Sequence, residues 1–230
     1  MISIVIPAFN EAAELPATLA ALRGQEAGHE VIVADARSTD ATAEIARAAG
    51  AKLIVSLRRQ RAAQMNLGAA AARGDTLLFL HADTRLAPGA LRAVERSLRE
   101  SAVVGGGFAR RYASPSFFLR ATCVLAEART RLCGWFLGDQ AIFARRTAFT
   151  ALGGYCAWDI FEDLDFSRRL ARLGRTVTLR PPVSSAARRF TAGPARTTWR
   201  DLALTVRFLA AGRPAENPAP APSGTLCPEP

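Results

Sequence analysis

Lysine is nearly missing from this 230-residue chain: Lys52 stands alone among 30 Lys and Arg residues, and the rest are arginine. A net charge of +10 carried this way suits bidentate capture of phosphate and carboxylate. It fits nucleic acid, an anionic membrane surface or a phosphorylated small molecule as partner. Genome composition alone also enriches arginine and alanine. Cysteine is scarce as well. The four, at 123, 133, 156 and 227, form no C-x-x-C pair, which excludes a zinc-finger or thioredoxin-like motif. Scattered thiols suit a reducing compartment. No stretch of about 18 apolar residues occurs, so no spanning helix is expected. The opening "MISIVIPAFNE" lacks the basic region and cleavage site of a signal peptide. The expected location is therefore the cytoplasm, either free or at a membrane surface. G-x-G-x-x-G and G-x-x-x-x-G-K-[ST] are both absent, which excludes a dinucleotide fingerprint and a P-loop. Arginines spread along the chain without an aromatic-rich RNA motif argue against nucleic acid as partner.

What is present is alternation. "ISIVI", "EVIVAD", "AKLIVSL" and "TLLFL" read as short buried strands. Between them "AAELPATLAALRG", "STDATAEIARAAG" and "RAAQMNLGAAAARG" read as helices ending in glycine, and "PGALRAVERSLRE" as the next helix. Strand–helix alternation at this spacing predicts an α/β fold, a mostly parallel sheet with helices on both faces. From residue 101 the pattern loosens. "VVGGGFARR", "QAIFARR" and "RTVTLR" read as strands, and "SFFLRATCVLAEARTRLCGW", "FEDLDFSRRLARLG" and "TTWRDLALTVRFLAAG" as helices. The glycines of "VVGGG" let a ligand or a backbone come close. Residues 213–230 hold six prolines and little to bury, so a disordered tail is expected there.

Ligands of open parallel sheets bind beyond the carboxyl ends of the strands. Polar residues follow three strands at once: Asn10 and Glu11, Asp35 and Arg37, His81 and Asp83. Each has a plainer reading. Asp35 and Asp40 can cap a turn, Glu11 can be a first-turn acid, and His81 can be a polar strand end. Arg61, near the start of an alanine-rich helix, makes an anion site with the backbone N–H groups or belongs to a solvated face. Glu162 and Asp163 open a helix, where acids favour the dipole by under ~1 kcal/mol in any protein.

Five segments in order, "VIPAFNEAAEL", "VIVADARSTDAT", "RAAQMNLGAAAARGDTLLFLHADTRL", "GDQAIFARRTAFTALGGY" and "FEDLDFSRRLARLGR", resemble the family 2 glycosyltransferases from residue 2 to about 190. The resemblance implies a GT-A fold and an inverting enzyme that moves a sugar from a nucleotide-sugar to an acceptor hydroxyl. It implies a nucleotide-sugar-binding half over residues 1–100, an acceptor-side half of the same domain over 101–212, and the tail beyond. By resemblance Asp163 is the base that takes the acceptor proton, with Glu162 in support. A carboxylate shielded from water suits that task, because desolvation raises its pKa. Pro7, Ala8, Glu11, Asp35, Arg37, Arg61, His81 and Ala82 fall at nucleotide contacts. Asp83 falls at the ligand to a divalent metal, Mg2+ or Mn2+, held largely by the nucleotide phosphates. Asp139 and Gln140, with Arg188 and Arg189, fall near the acceptor or the phosphates. Three departures stand out. Ala36 and Arg37 replace the Asp and Gly of the family's "DDGSTD" turn, Gln60 replaces a glycine, and His81 replaces the first carboxylate of a D-x-D. "RAAQMN", "LHADTR" and "GDQAIF" resemble a bacterial subgroup linked to arsenosugar biosynthesis. The other readings are a nucleotidyltransferase of similar sheet and a non-catalytic basic binder. The amphipathic C-terminal segment is expected to touch a membrane or a second copy, or to pack on its own domain.

Overall fold

The structure, a computed structural model, describes residues 1–114, 116–187 and 194–211. The strands are β1 Ile2–Ala8, β2 His29–Asp35, β3 Lys52–Val55, β4 Thr76–Phe79, β5 Thr84–Arg85, β6 Val103–Tyr112, β7 Ile142–Arg145 and β8 Arg175–Ser185. The helices are α1 Leu15–Arg23, α2 Thr42–Ala48, α3 Arg61–Ala70, α4 Ala90–Ser97, α5 Phe117–Cys133, α6 Arg146–Ala151, α7 Glu162–Leu173 and α8 Pro194–Ala211, with a 3-10 turn over Gly138–Gln140.

All eight strands join one sheet in the order β3-β2-β1-β4-β7-β6-β8-β5. β1 is buried at every position, as a strand covered on both faces must be. It pairs in parallel with β2, from Ile2↔His29 to Ala8↔Asp35, and with β4, from Ile2↔Thr76 to Val5↔Phe79. β7 then runs the other way, antiparallel to both β4 and β6. Side chains alternate between two cores. Ile4 and Ile6 meet Leu15, Leu19, Leu91 and Val94 on one face. Val5 meets Met65, Ala69, Phe149 and Phe166 on the other. Phe79, Phe149, Tyr155 and Phe166 make an aromatic cluster there, with Tyr155 and Phe166 centroids 4.5 Å apart.

The structure moves some expected boundaries. α1 begins at Leu15, because residues 11–14 form a loop tied to the next βα turn. Gly89, at φ 76, turns the chain into α4, so Pro88 lies ahead of that helix. β8 is longer than "RTVTLR" and ends by pairing with β5, a two-residue strand not foreseen. The β6 glycines accommodate backbone. A Cβ on Gly105 would stand 2.3 Å from the Phe143 carbonyl oxygen of β7, and one on Gly106 2.0 Å from that of Val177 on β8. Among the described residues Cys123 and Cys133 are free thiols. The proline-rich 213–230 segment lies outside the described residues.

Candidate active site

β1 to β4 run in parallel, so their carboxyl ends share one edge of the sheet. β7 is reversed, so the turn that enters it, Gly138–Gln140, reaches that same edge. The candidate residues collect along this edge in two groups.

The first group lies beyond β1 and β2. Pro7 and Ala8 are buried at the end of β1, and the chain turns at Asn10 with φ 53. The two βα loops are stitched together. The Asn10 N–H donates to Ser38 Oγ (2.9 Å), Glu11 N–H to Thr42 Oγ1 (2.8 Å), and Ala12 N–H to Asp40 Oδ2 (3.1 Å). Asp40 also accepts from the Thr42 N–H at 3.0 Å and from the Thr42 hydroxyl. The Thr42 hydroxyl above all holds the Asp40 carboxyl below its ordinary range, against some desolvation. Asp35, 3% exposed, accepts from the Ser38 N–H (3.0 Å) and the Ser38 hydroxyl. Arg37 is exposed and sits at φ 58, where the family pattern has glycine. Beneath them Gln64 of α3 donates to Ala8 O (2.8 Å) and Ala34 O (2.7 Å), locking the two strand ends to the helix.

The second group lies where β4 meets β7. Arg61 Nη1 donates to Glu162 Oε1 at 3.0 Å. Glu162 is 1% exposed, and its Oε2 is buried with no hydrogen-bond partner. Burial, then the neighbouring Asp163, pushes the Glu162 carboxyl up to about 7, although Arg61 opposes this. Burial works against the Arg61 charge, but Glu162, Asp163 and Asp83 outweigh it and raise the pKa. Asp163 accepts from the Leu164 N–H (2.7 Å) at Oδ1 and from the Gly138 N–H at Oδ2. His81 presses on the same glycine: a Cβ on Gly138 would lie 2.3 Å from His81 Nε2 and 3.1 Å from Asp163 Oδ2. Burial, then Arg61, lowers the His81 pKa against the pull of Asp83, Asp163 and Asp139, so the imidazole is neutral at pH 7. Ala82 is buried, and its carbonyl accepts from Thr18 Oγ1 at 2.7 Å. The Asp83 carbonyl accepts from the Ala186 N–H at 3.1 Å, which ties this loop to the end of β8. Just before Glu162, Phe161 holds φ 66, a left-handed conformation that strains a bulky residue.

Asp139 and Gln140 differ in role. Gln140 is fully buried: its Oε1 accepts from Arg129 (2.9 Å) and the Leu137 N–H (3.1 Å), and its Nε2 donates to Phe108 O (3.1 Å). Asp139 accepts both contacts of Arg110 Nη1, at 2.9 and 2.7 Å, and the Tyr112 hydroxyl at 2.9 Å. Asp139 keeps Arg110 charged against the cost of burial. Arg110 and Tyr112 were missed in the sequence. The signal was there: they stand two apart on a strand and so share a face. Arg188 and Arg189 lie outside the described residues. Among the described residues no three His, Cys, Asp or Glu side chains cluster to hold a metal. No helix among them is long and apolar enough to cross a membrane.

Residues 3–156 match the family described as Glycosyl transferase family 2. A PGL/p-HBAD biosynthesis glycosyltransferase of Mycobacterium bovis (strain BCG / Pasteur 1173P2) is 32% identical over 187 residues, covering 74% of this chain and 69% of that protein. The fold is similar to that of a mannosyltransferase from Pyrobaculum calidifontis solved with GDP-Man and Mn2+, with a TM-score of 0.73 at 22% identity. That likeness covers 94% of this chain, which spans 65% of the longer protein. S. aureus TarS 1-349, solved with UDP-GlcNAc, gives a TM-score of 0.63 at 15% identity over 80% of this chain and 58% of that one. These likenesses establish the GT-A fold. The family match and the 32% identical relative carry the membership: the chain belongs to glycosyl transferase family 2.

Proposed function

We propose that this protein transfers a sugar, with inversion, from a nucleoside diphosphate-sugar to an acceptor hydroxyl. The carrying observation is the meeting of Arg61, His81, Asp83, Glu162 and Asp163 at the β4–β7 junction, beside the paired loops after β1 and β2. In this reading Pro7, Ala8, Glu11, Asp35 and Arg37 face the nucleoside, and His81 and Ala82 the ribose and diphosphate. A neutral imidazole hydrogen-bonds a ribose hydroxyl without repelling a nearby cation. Asp163 takes the acceptor proton as the hydroxyl attacks the anomeric carbon. The Gly138 and Leu164 N–H groups fix its carboxylate for that task. Arg61 holds Glu162 and adds positive charge where the diphosphate leaves.

A divalent metal fits these residues. Asp83 offers a hard oxygen ligand, and Mg2+ or Mn2+ needs only one or two carboxylates when substrate phosphates supply the rest. When bound it would neutralise the departing diphosphate. The neighbours solved with GDP-Man and Mn2+, and with UDP-GlcNAc, support a nucleotide-sugar donor of this kind. The acceptor is a hydroxyl compound. The M. bovis relative is named for PGL/p-HBAD biosynthesis, and no residue of the site is specific for an arsenic-bearing acceptor, so the arsenosugar resemblance carries no assignment. We place the protein in the cytoplasm, with α8 as a surface for a membrane or a second copy.

The test is incubation with GDP-mannose and UDP-N-acetylglucosamine, with manganese. Release of nucleoside diphosphate is expected, with water taking the sugar in place of the acceptor hydroxyl. Release of pyrophosphate from a nucleoside triphosphate and a sugar 1-phosphate, with none of the diphosphate from the nucleotide-sugars, would instead mark a nucleotidyltransferase. Salt-sensitive nucleic-acid binding with no nucleotide-sugar binding would mark a basic binding protein.

A further inference from the structure

α5 is built inside out. Its inner side packs through Leu119, Ala126 and Thr130, which are buried. Its outer side is apolar too. At 3.6 residues per turn, Phe117, Ala121, Val124, Ala128 and Leu132 fall on one stripe with Leu125 beside it. Phe117 is 78% exposed, Val124 68%, Leu125 69% and Leu132 85%. Monomeric proteins rarely show water so long an apolar strip; such surfaces mark docking sites.

Charge identifies what docks. Arg120 and Arg131 line one edge of the stripe, and Arg111 and Arg180 stand beside Arg120 around a cavity of about 210 Å3 between α5, β6 and β8. Four arginines there face one glutamate, Glu127, which pairs with Arg131 (2.8 Å) and Arg180 (2.6 Å). A helix packed beside it repeats the design. α8 packs on α5 and exposes Trp199 (68%) and Val206 (56%), with Arg200 and Arg207 each one residue further on. Apolar residues and tryptophan flanked by arginines are the composition of an interfacial helix. A chain of net charge +10 repels its own copy and is drawn to anionic lipid.

We infer that the outer face of α5 docks on an anionic membrane surface, with Phe117, Val124, Leu125 and Leu132 entering the headgroup boundary and the arginines at its edge meeting lipid phosphates. The surface lies on the acceptor side of the sheet, next to the Arg110–Asp139–Tyr112 group, and does not depend on the transfer reaction for its binding.

The experiment is co-sedimentation of the full chain with phosphatidylglycerol/phosphatidylcholine vesicles and with phosphatidylcholine alone. The protein is expected to pellet with the anionic vesicles at low salt and to be released at high salt. Val124→Ser/Leu125→Ser/Leu132→Ser should cut the bound fraction at least tenfold with an unchanged melting temperature, as these side chains are exposed. Leu125→Trp should give a blue-shifted emission on adding anionic vesicles. Three results would overturn the inference: no pelleting of the wild type, equal pelleting of the triple-serine variant, or a solution dimer that this variant dissociates.

Discussion

At the scale of single residues, the acids of "FEDLDF" read by resemblance as a base, Asp163, with Glu162 in support, but the difference in their surroundings was not legible. The sequence gives two adjacent carboxyls. Only the fold shows that Glu162 is 1% exposed with an orphaned oxygen while Asp163 is held by two N–H groups. Asp163→Asn should lower turnover by roughly a hundredfold or more. Melting temperature and nucleotide affinity should be unchanged, as measured by steady-state kinetics beside thermal melts; near-normal turnover would shift the base elsewhere. Glu162 has a different signature. Folding raises its carboxyl from 4.5 to about 7, so the folded state binds more protons between those values. Stability from this group is therefore present at low pH and lost as pH rises from about 4.5 through about 7, by up to about 3 kcal/mol. Glu162→Gln should flatten that part of the stability–pH curve. Denaturant titrations at several pH values check it, and parallel curves for the two proteins would refute it. Arg37 could not be understood from its charge alone, because its φ of 58 is a property of the turn.

At the scale of elements, α3 shows how a polar face misleads. A solvated face is the plain alternative for its polar residues, yet Arg61, Gln64 and Asn66 all make ties. Asn66 accepts from the Tyr155 N–H (2.9 Å) and donates to the Tyr155 carbonyl (2.8 Å), pairing side chain with backbone as a strand would. Asn66→Ala should cost about 2–3 kcal/mol by leaving both groups of Tyr155 unmet, seen as a lower denaturation midpoint. No loss would mean that water replaces the pair. The Gly138–Gln140 turn is the other element whose role comes from packing. A methyl group at 138 must displace His81 or Asp163. Gly138→Ala should therefore depress turnover more than tenfold while costing only about 1–2 kcal/mol of stability. Kinetics and melts on the same preparation separate the two, and unimpaired turnover would show that the His81 ring simply moves aside.

At the scale of the whole molecule, the parallel half was legible because short apolar strands alternate with helices through residue 100, although β3, at the edge of the sheet, is only partly buried rather than covered on both faces. The reversal at β7 was not, since four residues carry no sign of strand direction. In the proposed reading the donor touches both halves of the sheet, so ligand binding should register on global stability. Manganese alone should leave the melting temperature unchanged, whereas manganese with a nucleoside diphosphate should raise it, since only a ligand of the folded state stabilises it. Asp83→Asn should remove the metal-dependent part of that rise. A full rise in excess chelator would leave the arginines as the phosphate clamp. The strand order has a last consequence, for synthesis. β4 lies in the middle of the finished sheet, yet the strand that covers its outer edge, Ile142–Arg145, is made some sixty residues later. A ribosome that has released only the first hundred residues holds a half-sheet with the edge of Leu77–Phe79 open, an invitation to pair with another nascent chain. The gap closes only when β7 emerges, so that interval is where this protein most needs a chaperone.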